Sequence, residues 1–519
     1  MTPDHEVLVI GAGIGGIGVG IALREAGITD FKIVDRADGV GGVWHANRYP
    51  GVAVDIPAMA YQFSFDPNPG WSRVFAPGAE VRAYLRGMVD RYGLQPHIEL
   101  RTSVSSRTWD EQEHVWRVVL NGTREITTRY VVSAIGVFPE PKPAQIDGIG
   151  EFRGKIMHST TWDENYDIAG KRVAVVGTGA SALQIVPAIA SQVAHLDVYQ
   201  RTPIWVLKKF DPDIPPWMKD LFTRVPLATR LGNRIVTALS ELFTIKLPVH
   251  HAKAPWFAHR IERAARDHLE RSVCDPVLRR QLTPDYGFAC KRPSFSNTYL
   301  AAFERDNVDL VTDTIEQITP EGIRTVDGKD RPVDAIVLAT GFHMAFSPEV
   351  YRRSPVVGRN GFNLADYFER ERYQAYESIT MPGLPNHFMI YGPYGGTGGA
   401  YHVMVENGGR HIVRVIQEAR RRGATAVEVT REATERYHRV VASKMTTSLW
   451  FTNNCAAANS YYFDQHGDVT AIRPTSGRQS KRASRTFPLN DYRFETKTSV
   501  TAFVPALNSE LRSAKASTS

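Results

Sequence analysis

"EVLVIGAGIGGIGVGIALREAG" (residues 6–27) is the stretch whose reading decides the fold. Val7–Ile10 is an apolar, largely β-branched run with no alternation, which predicts a strand buried on both faces of a parallel sheet. Gly11, Gly13 and Gly16 follow in the spacing GxGxxG. In that spacing the first glycine permits a tight turn and the second lets the backbone approach a pyrophosphate. The third lets the next helix lie close on the strand. The helix then points its free N–H groups and positive dipole end at the phosphates. A second strand, "FKIVD" (31–35), ends on Asp35, 19 residues after Gly16. A carboxylate at that offset accepts hydrogen bonds from an adenosine ribose. Strand, loop, helix, strand and acid in register predict a dinucleotide-binding unit.

The unit recurs in "KRVAVVGTGASALQIVPAIA" (171–190), where Gly177, Gly179 and Ala182 form GxGxxA around Ser181. That is the permitted variant of the same loop. The next strand, "HLDVYQRT" (195–202), places Arg201 19 residues after Ala182, where the first unit has its acid. A guanidinium grips a 2′-phosphate in a bidentate fork and a carboxylate repels it, so this unit is expected to take NADPH rather than NADH. "RYVVSAIGVF" (129–138) and "DAIVLATGF" (334–342) both bring an apolar run to a glycine, Gly136 and Gly341. They mark where the chain leaves the first unit and later re-enters it. The expected fold is α/β, with two Rossmann-like dinucleotide-binding domains, the second inserted into the first. The expected boundaries are 1–145 and 336–475 for the first domain and 146–335 for the second. A helical subdomain is expected at about 210–285, where proline breaks replace α/β alternation, and a C-terminal tail at 476–519.

At 519 residues, 43% hydrophobic and 23% charged, the composition is that of a globular chain of two or three domains. The net charge of +7 comes in part from "RPTSGRQSKRASRT" (473–486). It reads as a solvated face or phosphate-binding arginines rather than a nucleic-acid surface. Cys274, Cys290 and Cys455 are far apart and contain no CxxC, which predicts neither a disulfide framework nor a dithiol redox centre. No apolar run reaches the length of a membrane span. A cytoplasmic protein without stable membrane insertion is the expectation.

"GVGGVWHANRYPGVAVDIPAMAYQFSF" (39–65) holds glycines and aromatics that a simple nicotinamide dehydrogenase does not use. Here the sequence resembles the two-dinucleotide flavoprotein monooxygenases, whose FAD fold carries a GG-x-W segment beside the flavin. "FRGKIMHSTTWDE" (152–164) fits FxGxxxHxxxW(P/D) through Phe152, Gly154, His158, Trp162 and Asp163. This resembles the fingerprint of Baeyer–Villiger monooxygenases; the related N- and S-oxidising enzymes usually lack its closing residues. "CKR" (290–292) is similar to that family's catalytic-arginine segment, and "RYPGVAVDIPAMAYQFSF" (48–65) to the stretch holding its active-site aspartate. "YGPYGG" (391–396) and "ANSYYFDQHGD" (458–468) are similar to the hydroxyacetophenone monooxygenase branch.

The resemblance implies FAD in the first domain and NADPH in the second. It implies oxygen insertion next to a ketone carbonyl, giving an ester or lactone through a C4a-peroxyflavin stabilised by Arg292. Asp55 would position that arginine. Gly42, Val43, Trp44 and Tyr61 would line FAD with the first glycine loop, and Val104 would offer its backbone to the adenine. Ser181, Arg201, Thr202 and Lys291 would contact NADP. No metal is implied, and the partners are a small ketone and O2. Tyr461 departs from the tryptophan found there in many relatives. His158 reads as a structural or hinge histidine rather than a base. Three other readings stay open: an N- or S-oxidising enzyme that has no need of Arg292, an NADPH oxidase releasing H2O2, and a dinucleotide sensor without turnover.

Overall fold

Two sheets carry the two glycine loops. The computed structural model describes residues 2–396, 400–455, 458 and 460–497. His5–Ile10 lies inside an eight-stranded sheet and pairs in parallel with Phe31–Val34 on one side and Arg124–Ser133 on the other. Val7, Leu8 and Val9 are fully buried, which is why this strand has no polar face. Val104–Asp110 and Val115–Leu120 continue the sheet as an antiparallel meander. Glycine spacing also sets the helix behind the strand, Ile14–Glu25. A Cβ on Gly18 would sit 2.4 Å from a Val405 methyl and 2.8 Å from the Phe63 ring, so helix Tyr401–Arg422 can lie close.

The second sheet is parallel throughout, in the order Val308–Val311, His195–Tyr199, Arg172–Val176, Ala335–Leu338, Lys155–His158. The fingerprint segment is therefore an edge strand of this sheet, with Ile156 opposite Ile336, and not a free linker. The sheet also runs to Leu338, past the expected boundary at 335. Gly136 and Gly341 close their strands at φ +85° and +88°, a region that only glycine enters without strain. The helices between Pro216 and Leu282 leave the second domain at Val206–Leu207 and return at Ser294–Phe295, two short strands that pair with each other.

Two expectations are overturned. Residues 476–497 are not a tail. Gly477–Thr486 forms a helix against Tyr401–Arg422, and Tyr492–Glu495 pairs antiparallel with Ala426–Val429. Arg359 then donates to Glu495 at 2.7 Å. The alternating apolar residues of "YRFE" bury one face, a signal masked by the basic run before it. Residues 498–519 lie outside the described residues.

The second correction concerns the cysteines. Cys290 and Cys455, 165 residues apart, form a disulfide with their Cα atoms 5.1 Å apart, and Cys274 is free. Sequence spacing carries no sign of this pair, because the folding of the helical insert brings the two loops together. Denatured, unreduced protein is expected to show one reactive thiol, rising to three after reduction. Cys455→Ser should lower stability by about 2–4 kcal/mol in urea unfolding, the usual worth of closing a long loop. Three thiols without reduction would contradict the pairing.

Among the described residues no helix is long and apolar enough to cross a membrane.

Candidate active site

The first glycine loop is shaped to hold a ligand. Gly11 adopts φ +109°, and a Cβ on Gly16 would lie 1.8 Å from the Gly11 carbonyl, so the turn tolerates no side chain at Gly16. A Cβ on Gly13 would come within 3.3 Å of Gly42 Cα, and Gly42 itself has φ +58°. The two glycine segments face each other and leave backbone exposed between them. Asp35 accepts from Ala12 N–H at 2.6 Å and from Ala37 N–H at 2.8 Å. The acid thus braces the loop with one lone pair on each oxygen. Val104 begins its strand just past Thr102, whose N–H donates to the Asp35 carbonyl; the Val104 carbonyl accepts from Ser354 Oγ at 2.8 Å.

Gly42 starts the short helix Val43–Ala46. Val43 is half exposed, whereas Trp44 is buried and donates its indole N–H to the Tyr61 hydroxyl at 3.1 Å. Burial pushes the Tyr61 hydroxyl up to about 12. His402 stands edge-on to Tyr61 and Phe63, with ring centroids 4.8 Å apart in each pair. Both His402 nitrogens and the Tyr401 hydroxyl are buried with no hydrogen-bond partner among the described residues. A Cβ on Gly15 would lie 3.1 Å from that hydroxyl, so Tyr401 reaches the loop. Buried polar atoms without partners are costly. Beside a cradle that a Cβ would fill, they fit a polar cofactor of dinucleotide size.

Burial also holds His402 and His411 neutral, each pulled down to about 3. A histidine is near 6.5 in the unfolded chain. The folded value is depressed, so this contribution is whole above about pH 6.5 and is lost as pH falls. Each histidine should cost about 1.4 kcal/mol per pH unit between about 6.5 and 3. The urea midpoint is expected to drop between about pH 7.5 and about pH 5.5, and His402→Phe should flatten part of that drop.

Arg292 lies near enough to Tyr61 for its charge to act on that hydroxyl. Its Nη2 donates to Asp55 Oδ1 and its Nε pairs with Asp55 Oδ2, each at 2.8 Å. The carboxylate raises the guanidinium pKa further, burial opposes it, and Tyr461 and Tyr462 reinforce it. The side chains are 42% and 39% exposed, so the pair adds no more than about 1 kcal/mol to stability. Its value is orientation. Nη1 has no hydrogen-bond partner among the described residues. The loop carrying Arg292 is fixed from three sides. Trp205 donates to the Tyr286 carbonyl at 2.9 Å, Gly287 N–H to that of Asn454 at 2.8 Å, and Cys290 is bonded to Cys455.

The second glycine loop closes the site from the inserted domain. Gly177 has φ +113°, and a Cβ there would lie 2.5 Å from the Ala339 carbonyl; the space at Gly179 is open. Thr178 donates to the Thr202 carbonyl at 2.9 Å, which sets the Arg201–Thr202 turn. Arg201 is exposed and has no ion pair among the described residues. Lys291 stands close enough that Arg201, after burial, lowers the Lys291 pKa, with Asp285 acting in the opposite sense. Two cations held together suit an anion between them. Tyr49 lies close to Ser181, and Gln184 accepts from Ala53 N–H at 2.7 Å. A Cβ on Gly51 would lie 2.8 Å from the Gln184 carbonyl. The loop leading to Asp55 is thereby seated directly on the helix after the second glycine loop.

The fingerprint residues hold this junction. A Cβ on Gly154 would lie 2.5 Å from the Asp334 carbonyl, so the edge strand passes close to its neighbour. His158 caps the turn Ser159–Thr161 by accepting from Thr160 N–H, and burial lowers its pKa. Trp162 packs against the second-domain core, and Asp163 pairs with Lys155 at 2.6 Å. Glu164 reaches Arg48 of the first domain at 3.1 Å. Sequence reasoning missed Tyr49, Gln184, Tyr401, His402 and Cys455. Nothing in the spacing of "ALQIV" (182–186) or "AYHVM" (400–404) says where Gln184, Tyr401 or His402 points; only coordinates aim these side chains. From sequence, residues 394–399 are expected to help line the pocket; of these, 397–399 lie outside the described residues.

Two glycine-loop cradles and an arginine fixed by Asp55 are the arrangement of a two-dinucleotide enzyme. Comparison with known proteins is specific. The family described as pyridine nucleotide-disulphide oxidoreductase matches residues 8–241. A Baeyer–Villiger monooxygenase of Streptomyces coelicolor is 36% identical over 94% of this chain and 93% of its own. Another, of Pseudomonas aeruginosa, is 37% identical over 91% and 86%. The cyclohexanone monooxygenase of Rhodococcus sp. Phi1, solved bound to NADP+, superposes with a TM-score of 0.84 at 25% identity, over 95% of this chain and 100% of that one. The chain belongs to the Baeyer–Villiger monooxygenase family.

Proposed function

We infer that this chain is an FAD- and NADPH-dependent monooxygenase that inserts one atom of O2 beside a ketone carbonyl, giving an ester or lactone. The observation that carries this reading is Arg292, held bidentate by Asp55 through Nη2 and Nε, with no partner for Nη1 among the described residues. FAD, reduced by NADPH, supplies the electrons and the activation of O2. Gly11, Gly13, Gly16 and Gly42 would hold it by backbone, with Trp44, Tyr61 and Tyr401 along its side. Arg201, Lys291 and Thr202 would hold the NADP 2′-phosphate. Attack on a ketone places negative charge on the carbonyl oxygen, and a fixed donor at that position lowers the barrier. Arg292 keeps its proton at any working pH, so it donates without taking part in proton transfer. Asp55 keeps the fork from swinging away, leaving orientation to the protein rather than to the substrate.

Oxidation at nitrogen or sulfur develops no such oxyanion and has no use for this arginine. Offered a ketone and a thioether together with NADPH, the enzyme is expected to release ester from the ketone. Sulfoxide alone across a panel of ketones would overturn the reading.

A further inference from the structure

Helix Pro226–Glu241 in the inserted subdomain is turned inside out. Its buried residues are the polar ones, Thr229, Asn233 and Glu241. Thr229 donates to the Phe222 carbonyl at 2.7 Å and Asn233 to that of Met59 at 2.5 Å. Its outward face carries Leu227, Leu231, Ile235 and Leu239, exposed by 72%, 54%, 52% and 50%. Spacing by four sets them in one row on the helix. Phe243 lies just beyond its end, and Trp217, 63% exposed, stands on the helix before it. Exposed apolar residues scattered singly are ordinary, but a continuous row marks a surface of contact.

The charges around the row favour one kind of contact. Arg224, Arg230 and Arg234 are exposed and form no ion pair among the described residues. Over residues 216–246 the only acids are Asp220 and Glu241, and Glu241 is buried. An apolar row with a tryptophan, rimmed by unpaired arginines, has the character of a helix lying in a membrane interface. A second copy of this chain would bring its own arginines against the same row under two-fold symmetry. An anionic headgroup layer meets them with opposite charge. We propose that this face docks the enzyme on an anionic phospholipid surface, lying in the interface without crossing it.

The placement links docking to the site. Gly232 is on the side turned to the protein, where a Cβ would come within 2.6 Å of Met59. Met59 lies between Asp55 and Tyr61 in the chain. The docked face is thus one helix away from the segment that holds Arg292, and an apolar ketone dissolved in lipid would meet the enzyme there.

The test uses the FAD-loaded protein sedimented with vesicles of phosphatidylcholine, with or without phosphatidylglycerol. Binding is expected on the anionic vesicles, about tenfold weaker on phosphatidylcholine alone and weaker again in high salt. Combining Leu231→Ser, Ile235→Ser and Leu239→Ser should weaken binding by about tenfold or more at unchanged flavin content and thermal unfolding. Arg230→Glu with Arg234→Glu should remove the preference for phosphatidylglycerol. Absence of binding to anionic vesicles, or equal binding by the triple-serine variant, overturns the proposal. A stable dimer that the triple-serine variant breaks would assign the face to a second copy and overturn it equally.

Discussion

Arg292→Ala is expected to lower ester formation by about 10²–10³-fold, the usual loss when one donor to a developing oxyanion is removed. Anaerobic bleaching of the flavin by NADPH should continue, because Arg292 stands on Asp55 and not on the Arg201–Lys291 cluster. Oxygen uptake should then appear as H2O2. Arg292→Lys keeps the charge but loses the bidentate fork, so it should recover only part of the activity. Asp55→Asn should fall between wild type and Arg292→Ala, since one of the two fork contacts survives. Ester yield at the wild-type level in Arg292→Ala would remove the arginine from the chemistry. Loss of flavin bleaching in the same variant would instead make it a structural residue.

Arg201→Ala is expected to reduce the preference for NADPH over NADH by about 10–100-fold, read as the ratio of kcat/KM values, the worth of one or two charge-assisted hydrogen bonds. Most of the change should lie in KM for NADPH, with NADH little affected. Lys291→Ala should act in the same direction and less than additively, since both cations would share one phosphate. Lys291 also becomes more basic once Arg201 is gone, because the neighbouring charge that depresses it is removed. A preference unchanged in the Arg201→Ala, Lys291→Ala double variant would place the phosphate elsewhere.

The sequence was most informative where the backbone itself has to be special. Gly11, Gly16 and Gly177 are required by turns and close approaches that no side chain allows, so their spacing announced both loops. The apolar strands beside them are buried on both faces and read as such. The reading was weaker wherever a side chain meets a partner from a distant segment. Arg292 and Asp55, 237 residues apart, were paired through resemblance alone, since neither neighbourhood differs from a surface loop. The Cys290–Cys455 bond and the Tyr401–His402 wall were not foreseen, because helix periodicity reports burial but not what a side chain faces. The fingerprint supplies an edge strand of the second sheet, which its sequence did not announce. A four-residue strand that pairs on one side only leaves too short a pattern to recognise. The helix Pro226–Glu241 shows the opposite failing. Its periodicity is plain, but its apolar face points away from the protein.

The central claim is that this chain moves one oxygen atom from O2 into a carbon–carbon bond beside a carbonyl. Turnover of a ketone with NADPH under ¹⁸O2 tests it most directly. The account predicts an ester carrying one heavy oxygen, formed in proportion to the NADPH consumed. Consumption of NADPH matched by H2O2, with no labelled ester from any ketone, would contradict it.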